Sequence, residues 1–247
     1  MHHFFITPGQ VFEDRITITG QDVNHIKNVL RMKNGEQIGV RDGISRSYIC
    51  RIEEIAADQV TARVISAEAD STELPARIYL FQGLPKSDKM ELIIQKAVEL
   101  GVYRIIPVAT KRAVVKLDAR KAEAKVKRWQ VIAESAAKQC GRMIVPEVAG
   151  VMSLTEAFAY AAGFDCNLIP YELAEGMAET KAVLAGIRSG MKVGVFIGPE
   201  GGFDAAEAEL ATAAGIRPIT LGRRILRTET AGLAVLSILM FHLEEGE

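Results

Sequence analysis

The chain is sparing with cysteine: Cys50, Cys140 and Cys166 are all it has in 247 residues, and no two are closely spaced. That excludes a disulfide framework and a C-x-x-C metal or redox pair, and it fits a reducing cytoplasm. Histidine is nearly as scarce, at four residues without ligand spacing, so no metal is expected. Long apolar runs are missing as well. The longest, Ala231 to Phe241, is 11 residues, against the roughly 20 a membrane-spanning helix needs. No Lys or Arg precedes the short apolar run in Met1-His-His-Phe-Phe-Ile-Thr-Pro8, so no secretory signal is expected, and the expectation is a soluble, cytoplasmic protein. The chain contains no G-x-x-x-x-G-K-[ST] and no G-x-G-x-x-G after its first apolar strand of the α/β type, which excludes a P-loop and a Rossmann dinucleotide site. It also lacks an excess of either charge. Its 30 Lys+Arg meet 31 Asp+Glu, which at first sight argues against a polyanionic partner.

The distribution of charge reverses that inference. Residues 1–72 hold 8 basic and 10 acidic residues, 73–150 hold 15 and 8, and 151–247 hold 7 and 13. Lys86 to Arg142 alone carries 14 basic against 6 acidic. A near-neutral total therefore conceals a basic tract between acidic ends.

Two kinds of pattern follow one another along the chain. In the first part, Arg15–Ile18, Gln37–Val40, Ser47–Ile52 and Gln59–Ile65 read as strands around the turn dipeptides Asn34-Gly35 and Asp42-Gly43, with one helix at about 21–30. This predicts a small β-barrel-like domain over 1–72, ending in the polar stretch Ala69-Asp-Ser-Thr-Glu73. From there to 247, strands at Ile78–Gln82, Ile105–Ala109, Cys166–Pro170, Val193–Ile197 and Pro218–Leu221 alternate with helices at about 88–100, 119–139, 153–162, 178–187, 204–214 and 229–243. Such alternation predicts an α/β domain with a mostly parallel sheet covered on both faces.

Ligands of open parallel sheets sit beyond the carboxyl ends of the strands. Four such ends carry unusual residues: Leu80-Phe-Gln-Gly-Leu-Pro-Lys86, Leu168-Ile-Pro-Tyr-Glu172, Phe196-Ile-Gly-Pro-Glu-Gly-Gly-Phe203 and Leu221-Gly-Arg-Arg-Ile-Leu-Arg-Thr-Glu-Thr-Ala231. The last two together resemble the paired cofactor motifs of the ribosomal RNA small-subunit methyltransferase E family, within the SPOUT superfamily. The likeness runs along the whole chain. His3-Phe-Phe5 and His25-Ile-Lys-Asn-Val-Leu-Arg31 resemble the family's PUA-like N-terminal domain, and Lys86-Ser-Asp-Lys-Met-Glu91, Lys96–Gly101 and Glu134–Arg142 its basic central region.

The resemblance implies a C-terminal trefoil knot made by loops near 168–172, 197–203 and 221–231, a homodimer, and S-adenosylmethionine as cofactor. The implied reaction is methylation of uridine N3 in 16S ribosomal RNA, within the small ribosomal subunit. Cofactor contacts then fall on Leu168, Pro170, Ile197, Gly198, Gly202, Leu221, Gly222, Ile225, Leu226, Thr230 and Ala231. Arg227 and Glu229, followed by Glu200, are the candidates to hold the uracil and manage its proton. Lys86, Lys89, Arg112, Arg128, Arg142 and Arg31 are the expected RNA contacts. Nitrogen attacks the methyl directly, so no cysteine is needed as a nucleophile. Two readings stand beside this one: ribose 2′-O-methylation by another SPOUT branch, and a non-catalytic RNA-binding or ribosome-assembly protein.

Overall fold

The structure, a computed structural model, describes residues 1–44, 46–68, 71–172, 174 and 176–244. Positions 69 and 70 of the expected boundary stretch lie outside these. The chain divides into two compact units, Met1–Glu73 with Ala137–Val145, and Leu74–Ala136 with Pro146–Glu247. Among the described residues they hold one sheet of six strands and one of seven.

In the first unit the strands are β1 (His3–Phe5), β2 (Val11–Phe12), β3 (Arg15–Thr19), β4 (Gln37–Arg41), β5 (Ser47–Ile55) and β6 (Gln59–Glu68). They lie in the order β1-β4-β5-β6-β3-β2, antiparallel except for β1 against β4. Alternate residues face one core: Ile16 and Ile18, Ile38 and Val40, Cys50 and Ile52, Val60 and Ala62 are all buried. The expected helix is a short α1 (Gln21–Asn24) that widens into a π-helical turn at His25–Val29, sending Val23 and Ile26 into that core.

The segment 137–145 belongs to this unit because Glu73 gathers it. The Glu73 carboxylate accepts from Arg142 Nε at 2.8 Å and from the backbone N–H groups of Met143 at 2.8 Å and Ile144 at 3.3 Å. Lys138 pairs with Asp22 at 2.8 Å. Arg142 is only 4% exposed, so removing its partner would leave a buried charge, at a cost of about 3–5 kcal/mol. This corrects the expectation that Arg142 contacts RNA: its guanidinium is spent inside the protein.

The second unit runs β7 (Arg77–Gly83), α2 (Lys89–Glu99), β8 (Arg104–Ala109), α3 (Ala119–Cys140, whose last turn belongs to the first unit), β9 (Glu147–Val148), β10 (Met152–Ser153), α4 (Leu154–Ala161), β11 (Cys166–Pro170), α5 (Met177–Ala185), β12 (Lys192–Ile197), α6 (Ala205–Ala213), β13 (Arg217–Ile219) and α7 (Thr228–Glu244). The strand order is β10-β8-β7-β12-β11-β13, with β9 also on β8, and every pairing is parallel. Strands β7 and β12 are buried at every position after the first, as helices on both faces require. One side of the sheet packs aromatics, with Phe81 and Phe196 stacked at 4.2 Å between centroids and Phe158, Tyr160 and Phe164 around them. Helices α4 and α6 start on capping boxes, Ser153 with Glu156 and Asp204 with Glu207, which fixes where the chain leaves the sheet.

Candidate active site

At the carboxyl ends of β11, β12 and β13 three segments enclose a cavity of about 880 Å³. It is lined by 170–172, 174, 176 and 177, by 197–203 and by part of 220–231, including Tyr171, Met177, Phe203 and Thr220. The glycine loop after β12 turns on itself, with the N–H of Gly202 donating to Pro199 O at 2.9 Å. Gly202 holds φ at +65° and the space a Cβ would take there is open, so no side chain stands between its backbone and the cavity. On the other side of the loop, a Cβ at Gly83 would come within 2.8 Å of the Pro199 nitrogen; only glycine lets the end of β7 pass this close.

Two links tie the end of β7, the glycine loop and the start of α7 together. The first is neutral. Gln82, fully buried, donates from Nε2 to Thr228 Oγ1 at 2.9 Å and to Gly83 O at 3.0 Å, and the Thr228 hydroxyl donates onward to Gly198 O at 2.6 Å. The second is ionic. The Lys89 ammonium lies 3.4 Å from Glu200 and 3.1 Å from Glu229, while the Lys86 backbone N–H donates to Glu200 at 3.0 Å. Arg112 adds a third hold, donating from Nη1 to Gly201 O at 2.9 Å.

These contacts set the protonation of the carboxylates. Burial pushes the Glu200 carboxyl up, but its own N–H, the Lys86 N–H and the Lys89 ammonium together bring it below its usual range. Glu229 behaves likewise: burial is outweighed by its own N–H, by Lys89 and by the Arg227 charge. The Lys89 ammonium is pushed up, chiefly by its ion pair with Glu229. The three groups are therefore charged at neutral pH. No cysteine lines the cavity; Cys50 is a core thiol pushed up to about 12 by burial.

Of the residues expected to bind a cofactor, Pro170, Ile197, Gly198, Gly202, Leu221, Gly222, Ile225, Leu226 and Ala231 line the cavity. Two do not. Leu168 is fully buried inside β11, between Val195 and Arg217 of the neighbouring strands, and Thr230 faces solvent from the first turn of α7. Glu200 lines the cavity, Glu229 stands behind it on Lys89, and Arg227 is exposed beside them. The expected RNA contacts are more occupied than their residue types implied. Lys89 and Arg112 hold the glycine loop, Arg128 pairs with Glu91 at 2.8 Å, and Arg142 is buried; Lys86, Arg31, Arg112 and Arg128 are exposed. Gln82 and Thr228 are site residues that the sequence motifs do not mark; a lone Gln closing an apolar strand hints at the first, but not at its partner.

Residues 72–240 match the model of the RNA methyltransferase domain family, and residues 18–65 that of the RNA methyltransferase PUA domain. A ribosomal RNA small subunit methyltransferase E of Bacillus subtilis is 39% identical, covering 99% of this chain and 98% of its own. Among solved structures, a ribosomal RNA small subunit methyltransferase E from Neisseria gonorrhoeae bound to S-adenosyl methionine superposes with a TM-score of 0.86 at 30% identity, covering 98% of this chain and 97% of that one. A methyltransferase from Legionella pneumophila in complex with the same cofactor gives 0.86 at 32% identity, with coverage of 97% and 96%. Among the described residues no group of three or more His, Cys, Asp or Glu could hold a metal ion, and no helix is long and apolar enough to cross a membrane.

Proposed function

Because the chain belongs to the ribosomal RNA small-subunit methyltransferase E family, we propose that it methylates N3 of a uridine in 16S ribosomal RNA, using S-adenosylmethionine. The observation that carries this reading is the cavity itself. Its volume of about 880 Å³ falls in the range of about 300–1,000 Å³ common for small-molecule sites. Its walls pair bare glycine backbone with Ile197, Leu221 and Leu226, which suits a flat heterocycle that needs apolar faces and main-chain hydrogen bonds. When bound, S-adenosylmethionine supplies a methyl group on an electron-poor sulfonium.

The chain's own residues supply binding, orientation and charge. Pro170, Ile197, Gly198, Leu221, Ile225 and Leu226 hold the adenosyl part, and Gly202, Gly222 and Ala231 allow the rest to lie close to the backbone. Uracil N3 must lose its proton, which passes to solvent water, before it can attack, and the resulting anion is stabilised by a neighbouring cation. Arg227, exposed one residue before the buried Thr228 anchor, is assigned that role. Glu200 and Glu229 are weak bases in this setting because a base works best with a pKa near the working pH, and both lie below the ordinary range. In this reading they order the site.

The reading extends to the rest of the molecule. Residues 1–72, joined by Glu73 and 137–145, act as a PUA-like RNA-binding domain through groups such as Arg31, and the rest of 73–247 as the methyltransferase domain, working as a homodimer on the small ribosomal subunit in the cytoplasm. The loops at 168–172, 197–203 and 221–231 form a trefoil knot; support comes from the chain's return from edge strand β13 to the sheet centre, where Thr228 bonds Gln82 and Gly198.

Mapping of methyl groups on 16S ribosomal RNA from a deletion strain, with and without complementation, tests the assignment. The expected result is one 3-methyluridine lost on deletion and restored by the wild-type gene but not by Arg227→Ala. A methyl found on ribose would move the protein to the 2′-O branch, and calorimetry showing no S-adenosylmethionine binding would leave only a non-catalytic RNA binder.

A further inference from the structure

The sequence places Lys89 among the expected RNA contacts, but its ammonium lies between two carboxylates from two other segments, Glu200 of the glycine loop and Glu229 of α7. We propose that Lys89 is a positioning residue for the cofactor cavity: it clamps the glycine loop to the start of α7 and contacts neither RNA nor cofactor. The inference rests on the methyltransferase reading and names how that same site is kept in shape.

Three observations lead there. First, the Lys89 side chain is 29% exposed and those of Glu200 and Glu229 are 26% and 19%, so the cluster is shielded more than surface ion pairs such as Lys121 with Asp118, at 73% and 58%. Second, Glu200 also accepts the Lys86 N–H, so the turn that delivers Lys89 grips the same carboxylate by its backbone. That turn includes Ser87 at a φ of +55°, a conformation non-glycine residues adopt rarely and only where the surroundings hold it. Third, the ionic link runs beside the neutral one from Gln82 through Thr228 to Gly198. Residues 82 and 89, 198 and 200, and 228 and 229 thus supply one member each to two parallel clasps. Without the ammonium, two anionic carboxylates would be left close together with no cation between them, and repulsion would part the loop from the helix.

The test is Lys89→Met against Lys89→Arg in the full chain, read by calorimetric affinity for S-adenosylmethionine and by the salt dependence of binding to 16S ribosomal RNA. The expected result for Lys89→Met is at least a tenfold loss of S-adenosylmethionine affinity, a KM for it that rises more than kcat falls, and an unchanged RNA salt slope. Arginine, which can span both carboxylates, restores affinity to within about threefold. The proposal is overturned if Lys89→Met binds S-adenosylmethionine as the wild type does, or if its RNA salt slope falls by about 0.7–0.9, the signature of one lost phosphate contact. Should Lys89→Met not fold, Glu229→Gln takes its place: weakened cofactor binding at a near-native thermal midpoint supports the clamp, and unchanged binding overturns it. Wild-type protein that bound no S-adenosylmethionine would sink the methyltransferase reading instead, before Lys89 is put to question.

Discussion

Thr228 does more for the site than its size suggests. Its hydroxyl has one proton, which goes to Gly198 O, and its lone pairs receive Gln82 Nε2. This also fixes which way the Gln82 amide points, since both groups its nitrogen meets, Gly83 O and Thr228 Oγ1, are acceptors. Thr228→Val keeps the shape and removes both bonds, leaving a buried amide donor and a carbonyl without partners. The expected cost is about 1–3 kcal/mol of stability, seen as a lowered urea midpoint, together with weaker S-adenosylmethionine binding in calorimetry. A variant as stable as the wild type would mean that the neutral clasp carries no strain-free order into the glycine loop. The lone Gln82 at the end of an apolar strand is visible in the sequence, but its pairing with Thr228 is not. They are 146 residues apart, and nothing in local pattern says that the first residue of a C-terminal helix meets the end of the first parallel strand.

At the scale of elements, the start of α7 and the glycine loop share one acid sensitivity. Folding lowers the carboxyl pKa of both Glu200 and Glu229 from the ordinary 4.5. Depressed carboxylates stabilise the folded state fully above their unfolded value, and that contribution disappears as pH falls through the folded values. The thermal midpoint should therefore hold above about pH 5 and fall below it, and Glu229→Gln should show a shallower fall because one of the linked protons is gone. Parallel acid limbs for the two proteins would show that other carboxylates, such as Asp204 on Lys111, set the slope. Elements themselves were the most legible part of the chain. Strands β7 and β12 announce themselves as apolar runs, Ile78–Phe81 and Val193–Ile197, β11 only in part because Asn167 interrupts it, and α4 and α6 by Ser153 and Asp204 three residues ahead of a Glu. Strands β9 and β10, two residues each along β8, carry no period at all. The placement of 137–145 with the first unit depends on Glu73 meeting residues 69 to 71 positions away, a distance over which sequence pattern is silent.

For the whole molecule, the basic tract from Lys86 to Arg142 predicted where RNA binds by counting cations, and the structure changes which of them are available. Arg142 is buried on Glu73 and Lys89 is shielded between Glu200 and Glu229, whereas Arg112 and Arg128 hold Gly201 O and Glu91 from exposed positions. Side-chain direction, which composition does not encode, made that difference. Exposed cations remain on α3 and the turn before it: Lys116, Arg120 and Lys125, the last over the Trp129 ring at 5.8 Å. Phosphate binding releases counterions, so each true contact adds about 0.7 to the slope of log affinity against log salt for a single strand and about 0.9 for a duplex. Arg120→Glu with Lys125→Glu should weaken binding to 16S ribosomal RNA and flatten that slope by between one and two such units, with S-adenosylmethionine affinity unchanged. Reversal of Lys181 and Lys192, outside the tract, should do neither. If both pairs act alike, the protein attracts RNA through its overall field, and the segregation of charge along the sequence has no counterpart in a defined face.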